Sequence, residues 1–159
     1  MQAFASSIGA GTPSNFVGRE ATNCRTQNEV NSYFGVDLRD GRHLLPDFYS
    51  LRNRNSTTHV LMNWVLEGSV DKIDWRELDR RIHIHDDGTI EDEDDVSRLR
   101  QKGSATTWGI DQDIYRQIGC TDGFRFFRIV QIGKNSSGSD NLALSGFELY
   151  GIGTKGQWP

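Results

Sequence analysis

Along most of the chain, apolar and polar residues alternate with a period of two, which is the pattern of short, half-buried strands. Phe34, Val36 and Leu38 fall on one side of such a segment, and Tyr33, Gly35 and Asp37 on the other. Val60, Met62, Trp64 and Leu66 form a second stripe, stopped by Glu67-Gly68-Ser69. Further along, Phe127 and Ile129 stand opposite Phe126, Arg128 and Val130, and Phe147 and Leu149 opposite Glu148 and Tyr150. Helical periodicity is poor, and the best candidate, Asp92 to Leu99, is short and mostly charged. Many short strands with turn residues between them predict an all-β sandwich or barrel with little helix. The small, polar first fifteen residues read as a flexible lead-in, residues 16–151 as the domain, and residues 152–159, with Trp158, as a tail toward a neighbouring domain.

Counting strand directions adds a prediction about the loops. If Phe34–Leu38 runs from end A to end B of a sandwich and the chain turns through Arg39-Asp40-Gly41-Arg42, then Phe48–Leu51 returns to end A. Residues 52–59 then lie at end A. With Ser145–Tyr150 as the last strand, residues 133–141 lie there too, as do residues 21–32. Loops on a rigid sandwich are common places for binding, because they vary without disturbing the core.

Composition narrows the function classes. The chain has 159 residues, enough for one core, with 35% hydrophobic and 25% charged residues. A formal charge of −4 gives no footprint for a phosphate backbone, so nucleic acid is not an expected partner. No apolar run approaches the about 20 residues needed to span a bilayer. The first residues lack the basic and apolar stretches of a secretory signal. Two cysteines, Cys24 and Cys120, are too few for a disulfide scaffold and point to a reducing compartment. The sequons at Asn55 and Asn135 argue weakly the other way.

Several blocks in order, Phe34-Gly35-Val36-Asp37-Leu38, Leu45-Pro46, Tyr49-Ser50-Leu51-Arg52 and Asn63-Trp64-Val65-Leu66-Glu67-Gly68-Ser69 with Asp71 and Trp75, carry a family resemblance. They continue with Phe126-Phe127-Arg128-Ile129-Val130-Gln131 and Leu144-Ser145-Gly146-Phe147-Glu148-Leu149-Tyr150-Gly151. Over residues 16–151 the chain resembles the discoidin, or F5/8 type C, galactose-binding-like jelly roll. More narrowly, it resembles the Sad1/UNC-like domain found in ankyrin-repeat HECT-type E3 ubiquitin ligases. The resemblance implies a jelly-roll β-sandwich in the cytoplasm that binds a protein partner or ubiquitination substrate, with catalysis in a separate domain. In related jelly rolls the corresponding rim holds sugars, lipid head groups or short peptides. A carbohydrate- or phospholipid-binding discoidin domain is therefore the rival reading, and a structural or self-associating domain a third. Trimeric nuclear-envelope Sad1/UNC domains assemble with a preceding coiled coil; this chain has no heptads, and a monomer is expected.

The candidate binding residues lie in the rim loops: Arg25, Gln27 and Asn28 from the first, Arg52, Asn53, Arg54, Asn55 and His59 from the second, Lys134 and Asn135 from the third. Arginine forks suit carboxylate or phosphate groups. The competing reading of each is a solvated loop residue, with the arginines paired to local carboxylates. His83 and His85 have a spacing that can chelate metal, with Asp86 and Asp87 nearby, but a closed site needs four ligands, so no metal is expected. The acidic run 91–95 lacks the ligand pattern of an EF-hand and reads as a solvated insertion. Cys24 follows a threonine by two positions, yet nothing around it marks an activated thiol. No nucleophile, base and orienting partner can be assembled, so neither enzyme activity nor a cofactor is expected.

Overall fold

The computed structural model describes residues 1–85, 87–89 and 98–155. Among the described residues, eight strands and two short helices follow one another along the chain. The strands are β1 (Gln2–Ala5), β2 (Tyr33–Asp37), β3 (Arg42–Arg52), β4 (Asn63–Ser69), β5 (Arg76–Ile82), β6 (Ala105–Gly109), β7 (Phe126–Gln131) and β8 (Gly146–Lys155). The helices are α1 (Pro13–Phe16) and α2 (Asp113–Gln117). A five-stranded sheet in the order β1-β2-β7-β4-β5 faces a three-stranded sheet in the order β6-β3-β8, and every pairing is antiparallel. This is the all-β sandwich that the alternation predicts, with the jelly-roll architecture that the resemblance implies.

The alternation also places the core. Phe34 and Val36 of β2, Tyr49 and Leu51 of β3, Trp64 and Leu66 of β4, and Phe127 and Ile129 of β7 are all buried between the sheets. Full burial of side chains of this size contributes about 1.5–3 kcal/mol each. Phe16, at the end of α1, stacks on Phe34 at 5.2 Å and on Phe147 at 4.9 Å, so one ring bridges a strand from each sheet. Trp64 meets Trp108 edge-on at 5.0 Å. Its indole N–H donates to the Tyr49 hydroxyl (3.0 Å), which in turn donates to Asp79 (2.6 Å). The β3–β8 register shifts between Pro46 and Phe48, where proline has no N–H for the ladder. The Pro46 carbonyl instead accepts from the buried Tyr115 hydroxyl of α2.

Three expectations are corrected. Residues 2–5 do not form a free arm: they pair with β2, and Phe4 lies over Gly35, where an added Cβ would come within 2.3 Å of its ring. The segment after Gly151 does not leave the domain at once, because β8 continues along β3 to Lys155. The second apolar stripe is only half strand. Val60 and Met62 are buried, but β4 begins at Asn63. Most of the Asp92–Leu99 helix candidate, the acidic run 91–95, Asp86 and Trp158 lie outside the described residues. Leu99 itself belongs to the core.

Candidate functional site

The register of both sheets puts the start of β2, β4, β6 and β8 and the end of β3, β5 and β7 at one end of the sandwich. The connections 6–32, 53–62 and 132–145 therefore emerge together, as the direction count requires. They are stitched to each other. Arg25 forms backbone bridges to Ala10 and Ala143. The Thr26 N–H donates to the Leu142 carbonyl and the Leu142 N–H to the Thr26 hydroxyl, both at 2.9 Å. The N–H groups of His59 and Val60 donate to the hydroxyls of Ser137 and Ser136, both at 2.9 Å. The Asp140 N–H donates to the Asn28 side-chain oxygen at 2.8 Å, which closes the third loop onto the first. The result is a collar of three interlocked loops.

Within this collar the sequence candidates have different duties. Asn135 is 3% exposed and organises its own loop: its amide donates to the Ser139 hydroxyl and the Asn141 carbonyl, and its oxygen accepts from the N–H groups of Ser137 and Ser139. Asn53, also buried, donates to the carbonyls of Ser56 and Gln101. Arg52 spends its guanidinium on the carbonyls of Gly18 (2.5 Å) and Ser145 (2.6 Å), at the outer flank of β3. Lys134 pairs with Asp140 at 2.5 Å. Gln27 donates to the Ile8 carbonyl at 3.4 Å, and Asn55 is exposed. Val30, which the alternation does not single out, is 73% exposed in the first loop.

Arg54 is the exception to its sequence appearance. It is 5% exposed, with one terminal nitrogen donating to the Asn23 side chain (2.7 Å) and the other near Thr58 and the His59 ring (3.2 Å). Its Nε is buried with no hydrogen-bond partner among the described residues. Burial, followed by the nearby charge of Arg25, lowers the Arg54 pKa. Burial, then Arg54 and Arg25, lowers that of His59. His59 also holds a left-handed backbone (φ 58°), uncommon for a residue with a Cβ. Arg25 is half-buried, and among the described residues its guanidinium has no hydrogen bond or ion pair.

Beside the collar lies a cleft of about 410 Å³ lined by Asn63, Ile82, Ile84, Ile132, Gly133 and Lys134 among others. Asn63 shapes it. Its oxygen accepts from the N–H groups of His83 and Ile84, and its amide donates to the Ile84 carbonyl. The His-x-His pair is divided by this arrangement. His83 is 4% exposed and packs 5.2 Å from Trp64, whereas His85 is exposed beyond the end of β5. Among the described residues no group of three or more His, Cys, Asp or Glu side chains converges as metal ligands would. Cys24 is buried in the core, and burial pushes its thiol up to about 11 against the opposing pull of Arg54, so it is held neutral. Both cysteines are free thiols. Among the described residues no helix is long and apolar enough to cross a membrane.

No protein-family model matches the chain. It is 38% identical over 145 residues to the E3 ubiquitin-protein ligase hecd-1 of Caenorhabditis elegans, covering 89% of this chain and 5% of that protein. It is 34% identical over 131 residues to the E3 ubiquitin-protein ligase Ufd4 of Drosophila melanogaster, covering 81% of this chain and 4% of that one. The chain thus spans a small fraction of the length of these relatives. Among solved structures, it superposes on the Clostridium perfringens module CpGH89CBM32-5, determined in complex with GalNAc-β-1,3-galactose. The TM-score is 0.64 at 13% identity, covering 94% of each chain. The chain has a jelly-roll fold and is homologous to segments of E3 ubiquitin-protein ligases.

Proposed function

We propose that this jelly roll, homologous as it is to segments of two ubiquitin-protein ligases, is a non-catalytic recognition module of a HECT-type ligase in the cytoplasm. Its collar would hold a segment of a partner or ubiquitination substrate while catalysis takes place elsewhere in the parent protein. The observation that carries this reading is the collar. Three loops separated in sequence are fastened to one another by side-chain to backbone hydrogen bonds rather than left to solvent. A surface ordered before binding loses little conformational entropy when it engages a partner.

Two features favour a protein partner. The collar carries an exposed aliphatic tip, Val30, and the exposed amides of Gln27 and Asn55. Among the described residues the exposed aromatic rings, Phe48 and Tyr150, lie on the outer face of the three-stranded sheet, away from this end. Carbohydrate is the second reading, supported by the GalNAc-β-1,3-galactose bound to the superposed bacterial module.

Site-specific photo-crosslinking in the full-length ligase tests the proposal. A photoreactive amino acid replacing Val30 or Asn55 should capture a protein whose ubiquitination depends on the domain, and the same probe replacing Asp122 at the opposite end should not. Capture from position 122 alone, or captured material that is glycan rather than protein, would refute it.

A further inference from the structure

In a chain whose net charge is −4, the collar holds Arg25, Arg54 and His59 with no carboxylate paired to them among the described residues. Arg54 lies almost wholly inside it, yet the groups that accept from its guanidinium are neutral: Asn23, Thr58 and His59. Its Nε–H is buried and, among the described residues, unpartnered. The Thr22 hydroxyl, in the seam where the Asn55 N–H meets the Thr22 carbonyl, is likewise buried without a partner among the described residues. Arg25 comes close enough to be felt by both Arg54 and His59, and its own donors are unused among the described residues. Gly9 leaves the room that the Arg25 guanidinium occupies, because a Cβ there would fall 2.7 Å from one of its terminal nitrogens.

The two guanidinium groups repel one another and disfavour a proton on the neighbouring imidazole, and an arriving anion would relieve both effects. Guanidinium forks hydrogen-bond most strongly to planar or tetrahedral oxyanions. We propose that Arg25, Arg54 and His59 form an oxyanion pocket that takes a phosphate or carboxylate group carried by the bound peptide. The pocket rests on the recognition reading above and names the chemistry it selects. Arg25 is the half-exposed arm that reaches the anion. Arg54 is the fixed charge behind it, braced by Asn23 and Thr58. His59 gains a proton more readily once the anion is in place, so binding and protonation of its ring favour one another.

The test uses this 159-residue chain, followed by NMR of the His59 ring and the Arg25 side chain. Inorganic phosphate and acetate are titrated against chloride at constant ionic strength. The blocked peptides Gly-phosphoSer-Gly, Gly-Asp-Gly and Gly-Ser-Gly follow. Phosphate should produce saturable shifts at both residues and raise the His59 pKa, and Arg25→Gln should weaken binding about tenfold while leaving the remaining spectrum intact. Tighter binding of the phosphoserine peptide identifies phosphate as the natural group, and tighter binding of the aspartate peptide identifies carboxylate. Equal shifts with chloride, equal binding of the serine peptide, or an unaffected Arg25→Gln variant would overturn the pocket. Crosslinking from positions 30 and 55 that persists after such a failure would leave the recognition reading standing. Phosphate binding without crosslinking would leave a small-anion site and remove that reading.

Discussion

At the scale of single residues, alternation alone assigns Trp64 to the core, and it is 1% exposed. Its partners cannot be read the same way. Asp79 sits in the highly charged run Arg76-Glu77-Leu78-Asp79-Arg80-Arg81, and only the β4–β5 pairing brings it to the Tyr49 hydroxyl. Tyr49→Phe removes the acceptor of the Trp64 N–H and one donor to Asp79, and is expected to cost about 1–3 kcal/mol in urea unfolding. Arg54 teaches the same lesson in reverse. In Arg52-Asn53-Arg54-Asn55 it reads as a solvated fork, but Asn23, 31 residues away, holds it inside. Arg54→Ala should therefore destabilise by about 1–3 kcal/mol, and Arg25→Ala by no more than about 0.5 kcal/mol. Asp37 supplies a pH prediction. Its hydrogen bond to Arg125 holds its carboxyl below the ordinary range, so the pair stabilises the fold fully above about pH 4 and ceases to do so as pH falls through the lowered value. The wild-type chain should accordingly lose stability more steeply between about pH 4 and pH 2 than Asp37→Asn does, as followed by thermal melts across that range.

At the scale of elements, β2, β3, β4, β7 and β8 were legible in the alternation of aromatic and aliphatic residues, and β1, β5 and β6 were not. β5 is an edge strand in which Leu78 is the one fully buried residue, flanked by charges that discourage pairing with another chain. Its alternation is hidden by that charge. β1 has four residues, too few for a periodicity, and two are alanine. It is a strand because Phe4 finds the bare backbone of Gly35, lies 6.2 Å edge-on from Tyr33 and receives the Lys72 ammonium 4.1 Å from its centroid. The rest of that outer surface continues with Arg128, stacked 4.0 Å over Trp75 and paired with Glu67. Gly35→Ala forces the Phe4 ring off the sheet and is expected to cost about 1–3 kcal/mol. Hydrogen exchange should show residues 2–5 released well before β2 and β7 open. If β1 and β7 lose protection together, β1 is part of the global core instead.

At the scale of the molecule, the sandwich and the collar are held by different forces. Apolar burial between two sheets fixes the first, and its strand directions alone were enough to gather residues 21–32, 52–59 and 133–141 at one end. The second is polar, and its wiring was not legible, because serine, threonine and asparagine in loops have the same sequence appearance whether they face water or each other. Asn135 shows the difference: a sequon on paper, it is 3% exposed and makes four hydrogen bonds within its own loop. That loop in turn supplies Ser136 and Ser137 to the second loop and Leu142 to the first. A collar wired in this way opens as one unit. Asn135→Ala is expected to cost about 2–3 kcal/mol, since several donors and acceptors lose a shared partner at once. Its effect should appear at a distance: the amides of Thr26, His59, Val60 and Leu142 should all exchange faster by a similar factor, while those of Phe127 and Ile129 in β7 remain as slow as before. Faster exchange confined to residues 136–139 would mean that the three loops are merely neighbours, and that the rim is not ordered in advance of its partner.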